Sequence, residues 1–217
     1  MYAILDIEAT GGKVGEESII EIAVYKYDGK EIVDQFISLV NPEKKIDQYV
    51  QRLTHISDKM VLTAPKFHEI AKRIVEITDD CILVGHNVMF DYRMLKQEFD
   101  RLGYNYEKEW IDTFEYSEKL IPGLPSYSLG KLCESLGIVV TDRHRASGDA
   151  RATISLFKLL LDKDSEKIIT KKTGLKQPKK AHSKYQKLLE GLPNSIGVYY
   201  LYNSRKQLIY ISRSNNI

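Results

Sequence analysis

The chain has 217 residues, 43% hydrophobic and 10% aromatic, enough to pack one domain or one domain plus a fragment. No run of about 18 apolar residues is present, so no membrane-spanning helix is expected, and the N-terminus lacks a secretory signal pattern. Cys81 and Cys133 stand apart without zinc-type spacing, which points to reduced core thiols in a cytoplasmic protein.

The net charge of +2 conceals an asymmetry. Residues 1–165 hold 21 Lys and Arg against 28 Asp and Glu, whereas residues 166–217 hold 11 against 2. An acidic body with a basic appendage suggests a nucleic-acid partner.

Taken in chain order, residues 2–9, 18–27 and 31–40 read as three strands, with Asp28-Gly29 as a hairpin turn between the second and third. The next stretch, containing LTHISDKMV, reads as loop-rich. Pro65 is expected to open a helix with the stripe Phe67, Ile70, Ile74 and Ile77. CILVGH is a short buried strand, and the following helix closes at Gly103. WIDT reads as a strand, FEYSEKLI as a helix, and SYSLGKLCESLG as a helix with Ser126 as its cap. RHRASGDARATISLFKLLL leads into the last long helix. A meander followed by alternating strands and helices implies an α/β domain, a mixed sheet flanked by helices, over residues 1–163. Residues 164–190 form a Lys-rich linker, either a solvated spacer or a phosphate-backbone contact. Residues 191–217 read as a β-hairpin.

The chemistry lies in the acids. In YAILDIEATGG, Asp6 and Glu8 interrupt an apolar strand two residues apart, so both face the same way. Two adjacent carboxylates repel, and burying them needs compensation. Asp91 in GHNVMFD and Asp149 in HRASGD lie near helix N-termini, where the dipole favours their ionised forms. One such Asp alone is ordinarily a cap. Four carboxylates at element ends of one α/β domain suit hard divalent cations, Mg²⁺ or Mn²⁺. Two ions about 4 Å apart can clamp an in-line displacement at phosphorus, and their charge would offset the repulsion between Asp6 and Glu8. His144 is the candidate proton acceptor.

LDIEATGG, GHNVMFD and HRASGDA resemble the three motifs of the DEDDh exonuclease superfamily, nearest to the proofreading epsilon subunits of bacterial DNA polymerase III and their stand-alone relatives. The resemblance covers about residues 1–160. It implies a ribonuclease H-like fold and 3′→5′ release of nucleoside monophosphates. It also implies Asp6, Glu8, Asp91 and Asp149 as ligands of two metal ions and His144 as general base. Thr10 and Gly11 would lie along the terminal nucleotide. Asn87 would hold the third-motif loop or a phosphate, and His55 would contact the terminal base or serve as a plain loop residue. Single-stranded DNA 3′ ends are the expected substrate, in proofreading or repair, with a DNA polymerase as possible partner. An RNA-trimming exonuclease and a non-catalytic nucleic-acid-binding module are the alternatives.

GVYYLYN and LIYISRS resemble the opening hairpin of the GIY-YIG nuclease domain, with Ser212 where that family has Gly. The catalytic Arg and Glu of that family have no counterpart in these 217 residues, so a truncated second domain is expected and a tail-driven endonuclease is disfavoured.

Overall fold

The first strand, β1 (Tyr2–Ala9), has unequal neighbours. It pairs antiparallel with β2 (Ile19–Tyr27) along its whole length, from Tyr2 opposite Tyr27 to Glu8 opposite Glu21. Its parallel partner β4 (Ile82–Gly85) pairs only with Tyr2, Ala3 and Ile4. Beyond Ile4, β1 therefore outruns β4. β3 (Ile32–Leu39) flanks β2, and β5 (Trp110–Asp112) flanks β4, giving the order β3-β2-β1-β4-β5. The computed structural model describes residues 1–166, 168–169, 197–203 and 205–214.

Strand alternation sorts the core into two layers. Leu5, Ile7, Ile22 and Val24 pack beneath α3 (Phe67–Ile77) and α4 (Met89–Arg101), against Ile74, Leu95 and Phe99. Ile4, Ala23, Tyr25 and Val84 point to the opposite layer, with Ile154, Phe157 and Leu160 of α7 (Ala146–Lys163). α5 (Thr113–Leu120) and α6 (Leu129–Ser135) complete that layer through Tyr116 and Leu132. Asp6 and Glu8 continue the Ile4 row, and Glu21 continues the Ala23 row. All three acids thus face the α7 layer.

Three local expectations need correction. The stretch taken as loop-rich contains α1 (Gln48–Thr54) and α2 (Asp58–Val61). Both are too short to show a full apolar stripe, so side-chain bonds define them. Asp47 accepts the Tyr49 N–H at 2.7 Å, and Asp58 accepts the Ile46 N–H at 2.9 Å. The segment buries Ile46, Ile56 and Val61 against Ile20. Pro65 does not open α3. Its carbonyl accepts the Asn41 N–H, and Lys66 takes the N-cap, its own N–H bound to Glu69. Ser126 does not cap α6, which begins at Leu129 behind Ser128; Ser126 Oγ lies 3.2 Å from Ser128 Oγ in the preceding turn.

The chain divides into two units, Met1–Gly174 and Leu175–Ile217. In the second, β6 (Gly197–Tyr202) and β7 (Leu208–Ser214) form an antiparallel hairpin. The Asn203 carboxamide closes its turn by accepting the N–H groups of Arg205 and Gln207. Most of the expected linker lies outside the described residues. Among the described residues, no helix is long and apolar enough to cross a membrane.

Candidate active site

One carboxylate oxygen from each of Asp6, Glu8 and Asp149 lies within 4.8 Å of the other two. The two strand acids share a face by alternation, and α7 lies on that face with Asp149 in its first turn. Burial pushes the Asp6 carboxyl well above the ordinary carboxylate range, and the charges of Asp91, Glu8 and Asp149 push it further. Burial, then Asp149 and Glu21, raise Glu8 to about 7, with Arg145 opposing in part. Burial also raises Asp149, against the lowering influence of the His144 backbone N–H and Arg143. Asp149 Oδ2 accepts the His144 N–H at 3.1 Å. Asp149 Oδ1 is buried with no hydrogen-bond partner; Arg143 Nε forms a long ion pair with it at 3.8 Å, too far for a hydrogen bond. An orphaned buried carboxylate oxygen facing two more carboxylates is a set of hard oxygen donors that fits a hard divalent cation.

Asp91 is not part of this tight group. It is 4% exposed in the first turn of α4, a helix on the opposite layer, and reaches the acids around the end of β4. Burial raises its carboxyl well above the ordinary range, while the Ile7 backbone N–H lowers it. That N–H lies on the part of β1 beyond the β4 pairing. The short β4 therefore provides the opening that brings Asp91 beside Asp6.

His144 sits in the turn before α7 with φ 61°, a left-handed conformation, and is half-buried. The turn folds tightly because residue 148 is Gly. A Cβ there would collide with the carbonyls of Thr141 and Asp142.

The remaining expected positions hold the loops around the acids. Thr10 is buried, its hydroxyl accepting the Ser18 N–H and donating to the Gly11 carbonyl, both at 3.1 Å. Gly11 has φ 74°, and a Cβ would press on Val50 at 3.0 Å and Asp47 at 3.2 Å, so only glycine fits. Asn87, at φ 65°, donates its backbone N–H to Asp112 at 2.9 Å and leaves its side chain exposed. His55 is the exposed left-handed C-cap of α1.

Sequence reasoning passed over three groups. Glu21, only 2% exposed, receives Arg145 through Nη2 at 2.6 Å and Nε at 3.0 Å, and the Ala146 N–H at 2.8 Å. Glu17 receives Arg93 through two bonds of 2.6 and 3.2 Å. His86 bridges the end of β4 to the segment before α6, with Nδ1 3.0 Å from Thr113 Oγ1 and Nε2 2.8 Å from the Tyr127 carbonyl. A lone acid inside the apolar run IIEIAV was the available signal for Glu21; the partners are too distant in sequence to be matched.

A mixed sheet sandwiched by helices, with acids gathered where one strand outruns its neighbour, defines a ribonuclease H-like exonuclease architecture. Residues 3–157 match the exonuclease family designated RNase_T, and the chain belongs to that family. It is 36% identical over 163 residues to the 3′-5′ exonuclease DinG of Staphylococcus saprophyticus, covering 75% of this chain and 18% of that protein. It is 36% identical over 165 residues to the PolC-type DNA polymerase III of Caldanaerobacter subterraneus, covering 76% of this chain and 12% of that protein. The chain thus spans less than a fifth of either curated relative. Among solved structures, Exonuclease X in complex with 5′ overhanging duplex DNA superposes with a TM-score of 0.63 at 26% identity, covering 76% of this chain and 93% of that one. The nuclease domain of 3′hExo, a DEDDh family member bound to rAMP, shares the fold at a TM-score of 0.67 and 19% identity, covering 76% and 93%.

Proposed function

We propose that residues 1–163 act as a metal-dependent 3′→5′ exonuclease, releasing nucleoside monophosphates from single-stranded DNA 3′ ends in proofreading or repair. Three carboxylates within 4.8 Å, one with an orphaned buried oxygen, carry this reading. Asp6, Glu8 and Asp149, with Asp91 beside them, would hold two Mg²⁺ or Mn²⁺ ions. Such ions, when bound, supply Lewis-acid charge next to the scissile phosphate and lower the pKa of water. His144 accepts the proton of the attacking water as general base. Its backbone N–H is bound to Asp149, which ties the turn that carries the base to a metal-holding acid. Thr10 and Gly11 would lie along the terminal nucleotide, Asn87 would contact a phosphate, and His55 would contact the terminal base or serve as a plain loop residue.

The DNA held by Exonuclease X supports DNA ends as substrate, and the likeness to the PolC-type DNA polymerase III supports association with a polymerase. Residues 164–190 would serve as a basic linker, and residues 191–217 would resemble the opening hairpin of a GIY-YIG domain. A time course on 5′-labelled single-stranded DNA and RNA of one sequence, with Mg²⁺, Mn²⁺ or EDTA, tests the activity. A metal-dependent ladder shortening from the 3′ end, absent in Asp6→Ala, is expected, and DNA should be cut faster. Faster RNA cleavage would reassign the substrate. No cleavage of either polymer would replace the enzyme by a nucleic-acid-binding module.

A further inference from the structure

Glu21 faces the acid cluster but does not join it. It stands directly opposite Glu8 in the β1–β2 register, an arrangement in which like charges destabilise a strand pair. At 2% exposure it has almost no water to screen it. Among the described residues, its compensating hydrogen bonds come from the third motif, 124 and 125 residues away in sequence: the Arg145 guanidinium and the Ala146 backbone N–H. That N–H belongs to the first turn of α7, whose N-cap residue, Arg145, makes no side-chain cap bond. Glu21 thus caps α7 from the neighbouring strand, satisfying a donor the helix leaves open. The capped turn carries His144 on one side of Arg145 and Asp149 four residues beyond it.

We propose that Glu21 and Arg145 form a latch that positions His144 and Asp149 over the Asp6–Glu8 face. Arg145 is a positioning residue, not a phosphate ligand. Two of its nitrogens are committed to Glu21, and the fork geometry fixes its plane. The backbone turn at His144, left-handed and bound to Asp149, is held at both ends: by the His144 N–H to Asp149, and by Arg145 and Ala146 to Glu21. Arg145 also places a positive charge near Glu8, which limits the repulsion between the two facing strand acids. A misplacement of about 1 Å in a catalytic group costs on the order of 100-fold in rate, so release of this latch should act mainly on turnover.

The proposal rests on the exonuclease reading, and two readouts separate the two. The full chain is compared with Glu21→Gln, Arg145→Lys and the double variant. The first readout is amide hydrogen exchange of residues 143–150 without substrate. Faster exchange confined to this turn in Glu21→Gln, by about tenfold or more, is expected; unchanged exchange there would overturn the latch whatever the activity. The second readout is steady-state digestion of labelled single-stranded DNA. Each single variant should lose about 10- to 100-fold in kcat with KM within about twofold, and the double variant should lose no more than the worse single one. Should Arg145 instead bind the substrate phosphate, KM would rise, the salt slope would fall by about one, and Glu21→Gln would keep its turnover, overturning the proposal. A wild type inactive on every substrate would defeat the exonuclease reading alone, since the exchange result stands without it.

Discussion

Two glutamates bracket the same loop and meet opposite fates. Glu17, near the end of the loop that follows β1, is 7% exposed and held below the ordinary carboxylate range by the Arg93 guanidinium. Gln97 and Arg101 of α4 also bind its carbonyl at 2.6 and 3.2 Å. Glu8, just before that loop, is pushed up to about 7 and shares its surroundings with Asp6 and Asp149. A structural acid comes with its cation built in. The acids of the cluster face one another and outnumber the cations around them, an unfavourable arrangement unless a further positive group completes it. The difference separates an acid paired for stability from the acids of the proposed site.

Removing one acid from each side separates these roles most sharply. Asp6→Ala should reduce exonuclease turnover by about 10³-fold or more while raising the melting temperature in EDTA, because the buried repulsion is relieved. A large fall in melting temperature without metal would contradict the description of the cluster. Wild type should instead gain melting temperature on adding Mg²⁺ or Mn²⁺, since a ligand that binds only the native state stabilises it.

On the other side, Arg93→Ala strands the buried Glu17. Urea denaturation should show a loss of about 2 kcal/mol, between the limits for exposed and fully buried pairs because Arg93 is itself one-third exposed. Digestion assayed well below the melting point should change far less than in Asp6→Ala.

The two glutamates also respond to pH with opposite sign. Glu8 binds its proton more tightly folded than unfolded, so its contribution is full below about pH 4.5 and is lost as pH rises through about 7. Glu17 has a lowered value, so its contribution is present at neutral pH and is lost as pH falls through that value. In EDTA, Glu8→Gln should therefore gain stability relative to wild type between pH 5 and 8, read as a widening difference in denaturation midpoint. Equal midpoints across that range would remove the electrostatic contrast. The smallest effect is expected at the corrected cap: Ser126→Ala should change stability by less than about 0.5 kcal/mol, measured by the same denaturation.

Local periodicity made much of the molecule legible. The helix stripe Phe67, Ile70, Ile74 and Ile77 is buried throughout, and Gly103 ends α4 with φ 70°. Asp6 and Glu8 do share a face, because strand alternation needs nothing beyond the strand itself. α1 and α2 were illegible because their ends depend on Asp47 and Asp58 bonds and their burial on Ile20, a residue of β2.

By itself the sequence determined the α/β class, the two-residue spacing of the strand acids, and the placing of Asp91 and Asp149 in first helical turns. All are consequences of backbone geometry over a few residues. Only the tertiary structure decided that Asp149 joins Asp6 and Glu8 while Asp91 reaches them around the end of β4, because that depends on which layer each helix covers and how far β4 runs beside β1. It also decided that Glu21, opposite Glu8, belongs to Arg145 and the start of α7. Pairings across more than a hundred residues follow from packing the whole sheet, and no local pattern encodes them.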